Sequence, residues 1–244
     1  MKRNVLITGA SRGIGAETAR LFAQNGDNVF INYNHSERAA VSLRDELTEK
    51  GYSVKAIKAD VSVSAEVKRM FDEISEICGG IDVLVNNAGI AQTKLFTDIT
   101  NDDWNRMVST NLSGAFYCCR NALPYMIHNH FGRIINISSM WGQVGGSCEV
   151  HYSAVKAGII GLTKALAMEE GLSGITVNCV APGVIKTDMT SNLSEDDFNA
   201  LKDETPTGTL GTPYDVARTV LFLADNNSSF ITGQVIGVNG GFVV

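Results

Sequence analysis

Thr8-Gly9-Ala10-Ser11-Arg12-Gly13-Ile14-Gly15 follows directly on the apolar run Asn4-Val5-Leu6-Ile7. Gly9, Gly13 and Gly15 therefore stand where a first strand turns into a first helix. Glycine permits a tight turn and lets backbone N–H groups approach a pyrophosphate closely, while the N-terminal end of the helix favours negative charge. The spacing is Gly-x-x-x-Gly-x-Gly, not the common Gly-x-Gly-x-x-Gly. Its place between strand and helix makes Ser11, Arg12 and Ile14, with the glycines, candidates for holding a dinucleotide.

The rest of the chain repeats this alternation. Short runs at 5–8, 29–33, 54–58, 83–86, 133–137, 176–180 and 235–238 are mostly rich in Val and Ile, and most lack a clean polar alternation, the pattern of parallel strands covered on both faces. Helical periodicity fills the intervals: 13–25 (Ile14, Thr18, Leu21, Phe22), 36–50 (Ala40, Leu43, Leu47, capped by Ser36) and 64–77 (Val67, Phe71, Ile74). A helix capped by Thr100 starts near Asn101, and Pro213 opens one ending near Ala224. No linker or repeat divides the 244 residues. The expectation is an α/β, doubly wound, Rossmann-type unit over 1–244, with its ligand beyond the carboxyl ends of the strands where their order reverses.

Bulk properties exclude some functions. A net charge of −6 argues against nucleic-acid or anionic-membrane partners bound through a basic face. No basic-then-apolar leader or membrane-length apolar run is evident, so a soluble cytoplasmic protein is expected. Cys78, Cys118, Cys119, Cys148 and Cys179 show no metal-ligand spacing and suggest buried free thiols, with no metal.

Tyr33 ends the second strand, where NAD-preferring enzymes place a ribose-binding carboxylate. With no acid there, and with Arg12 able to meet a 2′-phosphate beside Asn34, His35 and Ser36, NADPH is favoured over NADH. Asp60-Val61 closes the third strand, placed to accept from an adenine amino group. Asn86-Asn87-Ala88-Gly89 closes the fourth, where two amides could knit strand ends beside the nicotinamide ribose. A purely structural turn competes in both places.

Ser139 ends the fifth strand, with Ser138 its rival. Tyr152 and Lys156 stand four apart, on one helical face. A close ammonium would stabilise phenolate; lowering the phenol pKa by about three units requires roughly 4 kcal/mol. Tyr152 could then pass a proton to a carbonyl oxygen as hydride arrives, Ser139 hold that oxygen, Lys156 also hold the ribose, and Asn111 fix a water chain. A Tyr-x-x-x-Lys pair alone occurs by chance in many helices, and Asn111 alone suits a helix hydrogen bond. Their combination with the glycine turn points to catalysis, rather than to a dinucleotide-binding sensor without turnover.

Thr8 to Gly15, Asn86-Asn87-Ala88-Gly89, Asn111, Ser139, Tyr152, Lys156 and Pro182-Gly183 occur in the order of the short-chain dehydrogenase/reductase family, which the chain resembles over essentially its full length. The resemblance implies a seven-stranded parallel sheet, an Asn–Ser–Tyr–Lys tetrad, and cofactor contacts from Gly9 to Gly15, Asn87, Ala88, Gly89, Pro182, Gly183, Ile185 and Thr187. It implies a substrate loop at about 184–207 and a homotetramer built through helices around 104–128 and 152–171 and the C-terminal strand. In that loop Met189, Leu193 and Phe198 are the main apolar candidates, either for lining an entrance or for packing the loop against the body. Within the family, Gly132-Arg133-Ile134-Ile135, Ala181 to Met189 and the Val-Asn-Gly-Gly ending resemble 3-oxoacyl-[acyl-carrier-protein] reductases of fatty acid synthesis. The carrier-docking basic positions of those enzymes correspond here to His130 and Ser173, leaving Arg133 and Lys164. Trp141-Gly142-Gln143-Val144-Gly145-Gly146-Ser147-Cys148-Glu149-Val150 resembles instead a subgroup reducing a 5-aminopentanone group on elongation factor P. There Trp141 and Glu149 would meet the substrate and Glu149 its amine, unless Glu149 is simply solvated.

Overall fold

The computed structural model describes residues 2–187 and 194–244. Seven strands form one parallel sheet: β1 (Asn4–Ile7), β2 (Asn28–Tyr33), β3 (Val54–Lys58), β4 (Val83–Asn86), β5 (Gly132–Ile137), β6 (Ile175–Pro182) and β7 (Val235–Val238). Their order is β3-β2-β1-β4-β5-β6-β7. The chain thus winds outward from β1 to one side, then returns and winds to the other. The order reverses between β1 and β4, and the crevice above that point is where such sheets bind ligands.

The helices are α1 (Gly13–Gln24), α2 (Glu37–Glu49), α3 (Ser64–Cys78), α4 (Asn101–Val108), α5 (Gly114–His128), α6 (Trp141–Val144), α7 (Val150–Glu170), α8 (Glu195–Glu204) and α9 (Pro213–Leu223). Successive strand side chains point to opposite faces, so both need cover. Val5, Ile7, Val29, Ile31, Val83 and Val85 pack with Phe22 of α1, Leu43 and Leu47 of α2 and Val220 of α9. Leu6, Phe30, Leu84, Ile134 and Val177 pack on the other side with Met70 and Ile74 of α3 and Met126 of α5. Each such side chain contributes about 1.5–3 kcal/mol on burial, which is why most strands carry no polar alternation; β3, with Lys55 and Lys58 exposed, is the exception.

Several expectations are refined. Ser36 makes no side-chain cap bond to α2, whereas Thr100 and Asp103 form a full capping box on α4. The inward face of α1 is made by Ala16, Ala19 and Ala23 with Thr18 and Phe22. These alanines leave room for α9 to pack closely. The expected helix around 104–128 is interrupted by a π-turn, Ser109–Ser113, between α4 and α5. Helix α8, with its Ser194–Asp197 capping box, lies inside the expected substrate loop. Met189 and Leu193 fall outside the described residues. Cys118, Cys119 and Cys179 are buried free thiols, but Cys78 and Cys148 are half-buried.

Candidate active site

The glycine turn is held against the ends of β2 and β4. Gly9 N–H donates to Asn32 Oδ1 (3.2 Å), and Asn32 Nδ2 donates to the Ala59 carbonyl (3.0 Å). Thr8 Oγ1 accepts from the N–H groups of Asn87 and Ala88 (3.0 Å each). Asn87 Nδ2 donates to the Thr8 and Gly9 carbonyls at 2.9 and 3.1 Å. The tandem amides do knit strand ends together: Asn86 Nδ2 donates to Asn136 Oδ1 (2.8 Å). Asn32 went unnoticed in the sequence, although an asparagine within an apolar strand was a signal available there, and Thr8 was read only as part of the motif.

The turn can be built only with glycine. Gly9 and Gly13 have φ of +61° and +55°. A Cβ at Gly9 would lie 2.8 Å from Ala88 Cα, and one at Gly15 2.6 Å from Asn87 Nδ2. Thr187 stands over Gly13, its Cγ2 3.5 Å from where a Cβ would be. A cradle of bare backbone at a helix N-terminus fits the pyrophosphate of a dinucleotide. Gly9→Ala should therefore lower the melting temperature by roughly 4–8 °C, the cost of about 2 kcal/mol of backbone strain. A thermal melt checks this, and an unchanged midpoint would contradict the tight approach to Ala88.

At the adenosine end, Tyr33 is only 8% exposed and belongs to the core. Asn34 is half-buried and His35 exposed. Burial pushes Asp60 up, but the Ser62 hydroxyl and N–H and the Asn34 amide hold its carboxyl below the usual range. Asp60 Oδ1 is already engaged by Ser62 (2.7 and 2.9 Å). Val61 is buried against Gly114. Arg12 is exposed at the N-cap of α1. An open depression at the start of α2 is lined by His35, Ser36, Glu37, Arg38, Ala39 and Ser42. Arg38 was missed in the sequence because the Glu beside it masks a local basic site. Ile185 is buried and bridges to Gly211, while Gly183 abuts Asn239. These contacts fold the segment after β6 back over the sheet end.

The four tetrad positions converge beyond β4 and β5. Ser138 Oγ donates to the Lys156 carbonyl (2.8 Å), so this hydroxyl is tied to the α7 backbone. Ser139 Oγ accepts from Trp141 N–H (3.2 Å) and acts on the Tyr152 phenol. Just beyond the end of β5 the two neighbours thus hold different partners, Ser138 the α7 backbone and Ser139 the Trp141 N–H and the Tyr152 phenol. Lys156 is 5% exposed, its Nζ donating to the Ile137 carbonyl at 2.9 Å. Asn111 sits in the π-turn, where its Nδ2 donates to the Met107 and Ile90 carbonyls (3.1 and 3.2 Å) and its Oδ1 accepts from Ile90 N–H (3.2 Å). A Cβ on Gly89 would lie 2.6 Å from Asn111 Oδ1 and 3.5 Å from Lys156 Nζ. Gly89 therefore lets these two polar ends come close, and π-turns often mark such sites.

One expectation is reversed. The phenol of Tyr152 is pushed up, to about 12: burial raises it, the Ser139 hydroxyl pulls it down, and the Glu149 charge raises it further. The ammonium lies 5.5 Å from the Tyr152 ring centroid and donates to the Ile137 carbonyl. Burial in turn brings Lys156 down to about 8, against the pull of Cys179. Helical spacing brings phenol and ammonium together; it says nothing of how deeply both are desolvated.

Around this centre, Trp141 meets the Phe242 ring edge-on at 6.0 Å. Glu149 is half-buried, and Thr93 Oγ1 donates to its Oε1 at 3.4 Å. Burial raises the Glu149 carboxyl above its ordinary range, with Thr93 opposing. Arg133 is not available for docking: it is 4% exposed, donates to the Gly132 and Gly174 carbonyls and lies 4.5 Å from the Phe131 ring centroid. Lys164 is exposed. Among the described residues no cluster of His, Cys, Asp and Glu could hold a metal, and no helix is long and apolar enough to cross a membrane.

The family model described as "Enoyl-(Acyl carrier protein) reductase" matches residues 9–243. The chain belongs to the short-chain dehydrogenase/reductase family. Members of this family are oxidoreductases acting on CH–OH and C=O groups with nicotinamide dinucleotides. The 3-oxoacyl-[acyl-carrier-protein] reductase FabG of Staphylococcus aureus (strain Mu50) is 44% identical over 241 residues, covering 99% of this chain and 98% of its own. FabG of Aquifex aeolicus is also 44% identical, with coverages of 97% and 95%. The (2S)-[(R)-hydroxy(phenyl)methyl]succinyl-CoA dehydrogenase subunit BbsD of Thauera aromatica is 43% identical, with coverages of 98% and 96%. A crystal structure from Agrobacterium tumefaciens, described as a "putative gluconate dehydrogenase", superimposes with a TM-score of 0.95 at 33% identity, covering 99% of this chain and 97% of that one.

Proposed function

We propose that this chain is a cytoplasmic enzyme that reduces a 3-oxoacyl group on acyl carrier protein to the 3-hydroxyacyl group in fatty acid synthesis, with NADPH as cofactor. The observation that carries the reduction is the convergence of Ser139, Tyr152, Lys156 and Asn111 beyond β4 and β5, with Ser138 withdrawn from it. The substrate follows from the likeness to the FabG reductases. One nucleotide-binding unit over 1–244, with a substrate loop at about 184–207, is the organisation we assign.

When bound, NADPH supplies the hydride. Gly9, Ser11, Gly13, Ile14 and Gly15 would hold its pyrophosphate, Arg12 and Arg38 its 2′-phosphate, and Tyr33, Asn34, His35, Asp60 and Val61 would surround the adenosine. Asn87, Ala88, Gly89, Pro182, Gly183, Ile185 and Thr187 would enclose the nicotinamide end, and Lys156 would reach the ribose. Ser139 would donate a hydrogen bond to the ketone oxygen, and Tyr152 Oη would give that oxygen its proton. Trp141 and Met189 would flank the substrate. The exposed Trp104, Phe116, Met168 and Phe230 suit association of copies into a homotetramer.

A second reading rests on Glu149. Its half-buried carboxyl, raised by burial, has the Thr93 hydroxyl as its donor among the described residues. An amine on the substrate, as in a 5-aminopentanone group on elongation factor P, would complete it. The test sets a carrier-linked 3-oxoacyl chain beside the modified elongation factor, each with NADPH and NADH at equal concentration. Turnover on the 3-oxoacyl carrier, at least roughly tenfold faster with NADPH, is expected. Faster turnover with NADH would overturn the cofactor choice, and turnover on the aminoketone alone the substrate.

A further inference from the structure

Four side chains outside the tetrad form a continuous chain beside it. Lys94 Nζ donates to Asp103 Oδ2 (2.7 Å), Gln92 Nε2 donates to Asp103 Oδ1 (3.0 Å), and His151 Nε2 lies 2.9 Å from Gln92 Oε1. The chemistry of these groups fixes their hydrogens. An ionised carboxylate only accepts, so Gln92 must turn its NH₂ to Asp103 and its oxygen to His151. That oxygen also only accepts, so His151 carries its hydrogen on Nε2. The ring is 0% exposed, and its Nδ1 is buried without a hydrogen-bond partner. A second proton there would be a buried donor with nothing to receive it, which agrees with burial holding the imidazole below its ordinary value. His151 is thus a neutral donor of one defined hydrogen bond.

Asp103 and His151 anchor this chain to the helices α4 and α7. Asp103 Oδ2 also accepts from the Thr100 N–H and hydroxyl at the start of α4 (3.1 and 2.8 Å). His151 immediately precedes Tyr152 on α7. Residues 90–95, which join β4 towards α4, are tied to the start of α7 at two further points: Lys94 N–H donates to the Cys148 carbonyl (2.7 Å) and the Thr93 hydroxyl to Glu149. Asn111 holds the other end of the segment at Ile90. The segment forms a wall beside the tetrad, and Gln92 is the link that connects it to the buried ring.

We propose that Gln92 and His151 are positioning residues, holding residues 90–95 at a fixed distance from Tyr152 and so setting how tightly the ketone is held. They act through Thr93 and Glu149 and do not touch substrate. This rests on the reduction reading above. The test measures KM and kcat with acetoacetyl-CoA at saturating NADPH, the NADPH dissociation constant, and amide exchange at Lys94, in wild type, Gln92→Leu, His151→Leu and His151→Gln. Both leucine variants should raise KM about tenfold, as loss of one buried hydrogen bond would, with kcat and NADPH affinity within about threefold and faster exchange at Lys94. His151→Gln keeps a donor for Gln92 and should restore KM to within about twofold. Gln92 is half-buried, so its variant decides the matter if His151→Leu does not fold. An unmoved KM in Gln92→Leu, or a His151→Gln no better than His151→Leu, overturns the positioning role alone. A wild-type chain that oxidises no NADPH with any ketone defeats the reduction reading and this proposal with it.

Discussion

Tyr152→Phe should lower kcat for ketone reduction by roughly 10²–10⁴, the range of general acid catalysis, and leave the NADPH dissociation constant within about twofold. The substitution removes one oxygen and keeps the ring, so the packing of α7 persists. In the free chain the phenol is pushed up to about 12, so at neutral pH it holds its proton and is loaded for the reductive direction. The sign matters for the reverse reaction. Alcohol oxidation needs the phenol deprotonated, so its rate should climb with pH across the neutral range. Steady-state kinetics in both directions check this, and a Phe variant retaining turnover would remove Tyr152 from its role.

Lys156→Met should make the chain more stable and far less active. Burial brings the ammonium from 10.5 to about 8, which corresponds to about 3 kcal/mol of folding cost at neutral pH. The folded pKa lies below the unfolded one. The cost is therefore fully present below pH about 8 and is relieved as pH rises from there to 10.5. Methionine carries no charge into the same space but leaves the Ile137 carbonyl without its donor, about 1 kcal/mol in the other direction. The net expectation is a gain of about 2 kcal/mol at pH 7, or roughly 4–8 °C in Tm, that shrinks above pH about 8 and becomes a loss of about 1 kcal/mol above pH about 10.5, where only the missing hydrogen bond remains. Turnover should fall by roughly 10² or more, because the charge beside the phenol and the proposed ribose contact are lost together. The wild-type kcat/KM should show an alkaline limb near the value of this ammonium, about 8. A variant melting below the wild type at pH 7 would contradict the account of Lys156 as a group retained against stability.

Much of this was legible in the residues. The glycine turn could be read because a strand end and a helix start flank it, and φ above zero at Gly9 and Gly13 is what glycine supplies. The strands could be read because a sheet covered on both sides keeps its strands mostly Val and Ile, with isolated polar residues such as Asn32 and Asn136 rather than a polar alternation. Other features lay beyond the sequence for identifiable reasons. Ser138 and Ser139 are equivalent as letters; only their hydrogen bonds beyond the end of β5, to the Lys156 carbonyl and from Trp141 N–H, separate them. The π-turn at Asn111 has the same composition as ordinary helix. Arg133 looks like a surface cation until Phe131 and Gly174 close over it. Helical spacing placed Lys156 beside Tyr152 correctly, but desolvation, which depends on everything packed around the pair, sets the direction of both pKa shifts.

The most direct measurement is the fate of a deuterium carried at the transferable position of NADPH during turnover with an acetoacetyl thioester. Mass spectrometry of the product should find one deuterium on the new carbinol carbon for the wild type, and roughly a hundredth as much labelled product or less for Tyr152→Phe under the same conditions. Labelled alcohol formed equally by that variant, or NADPH oxidised with no label in the product, would contradict the account.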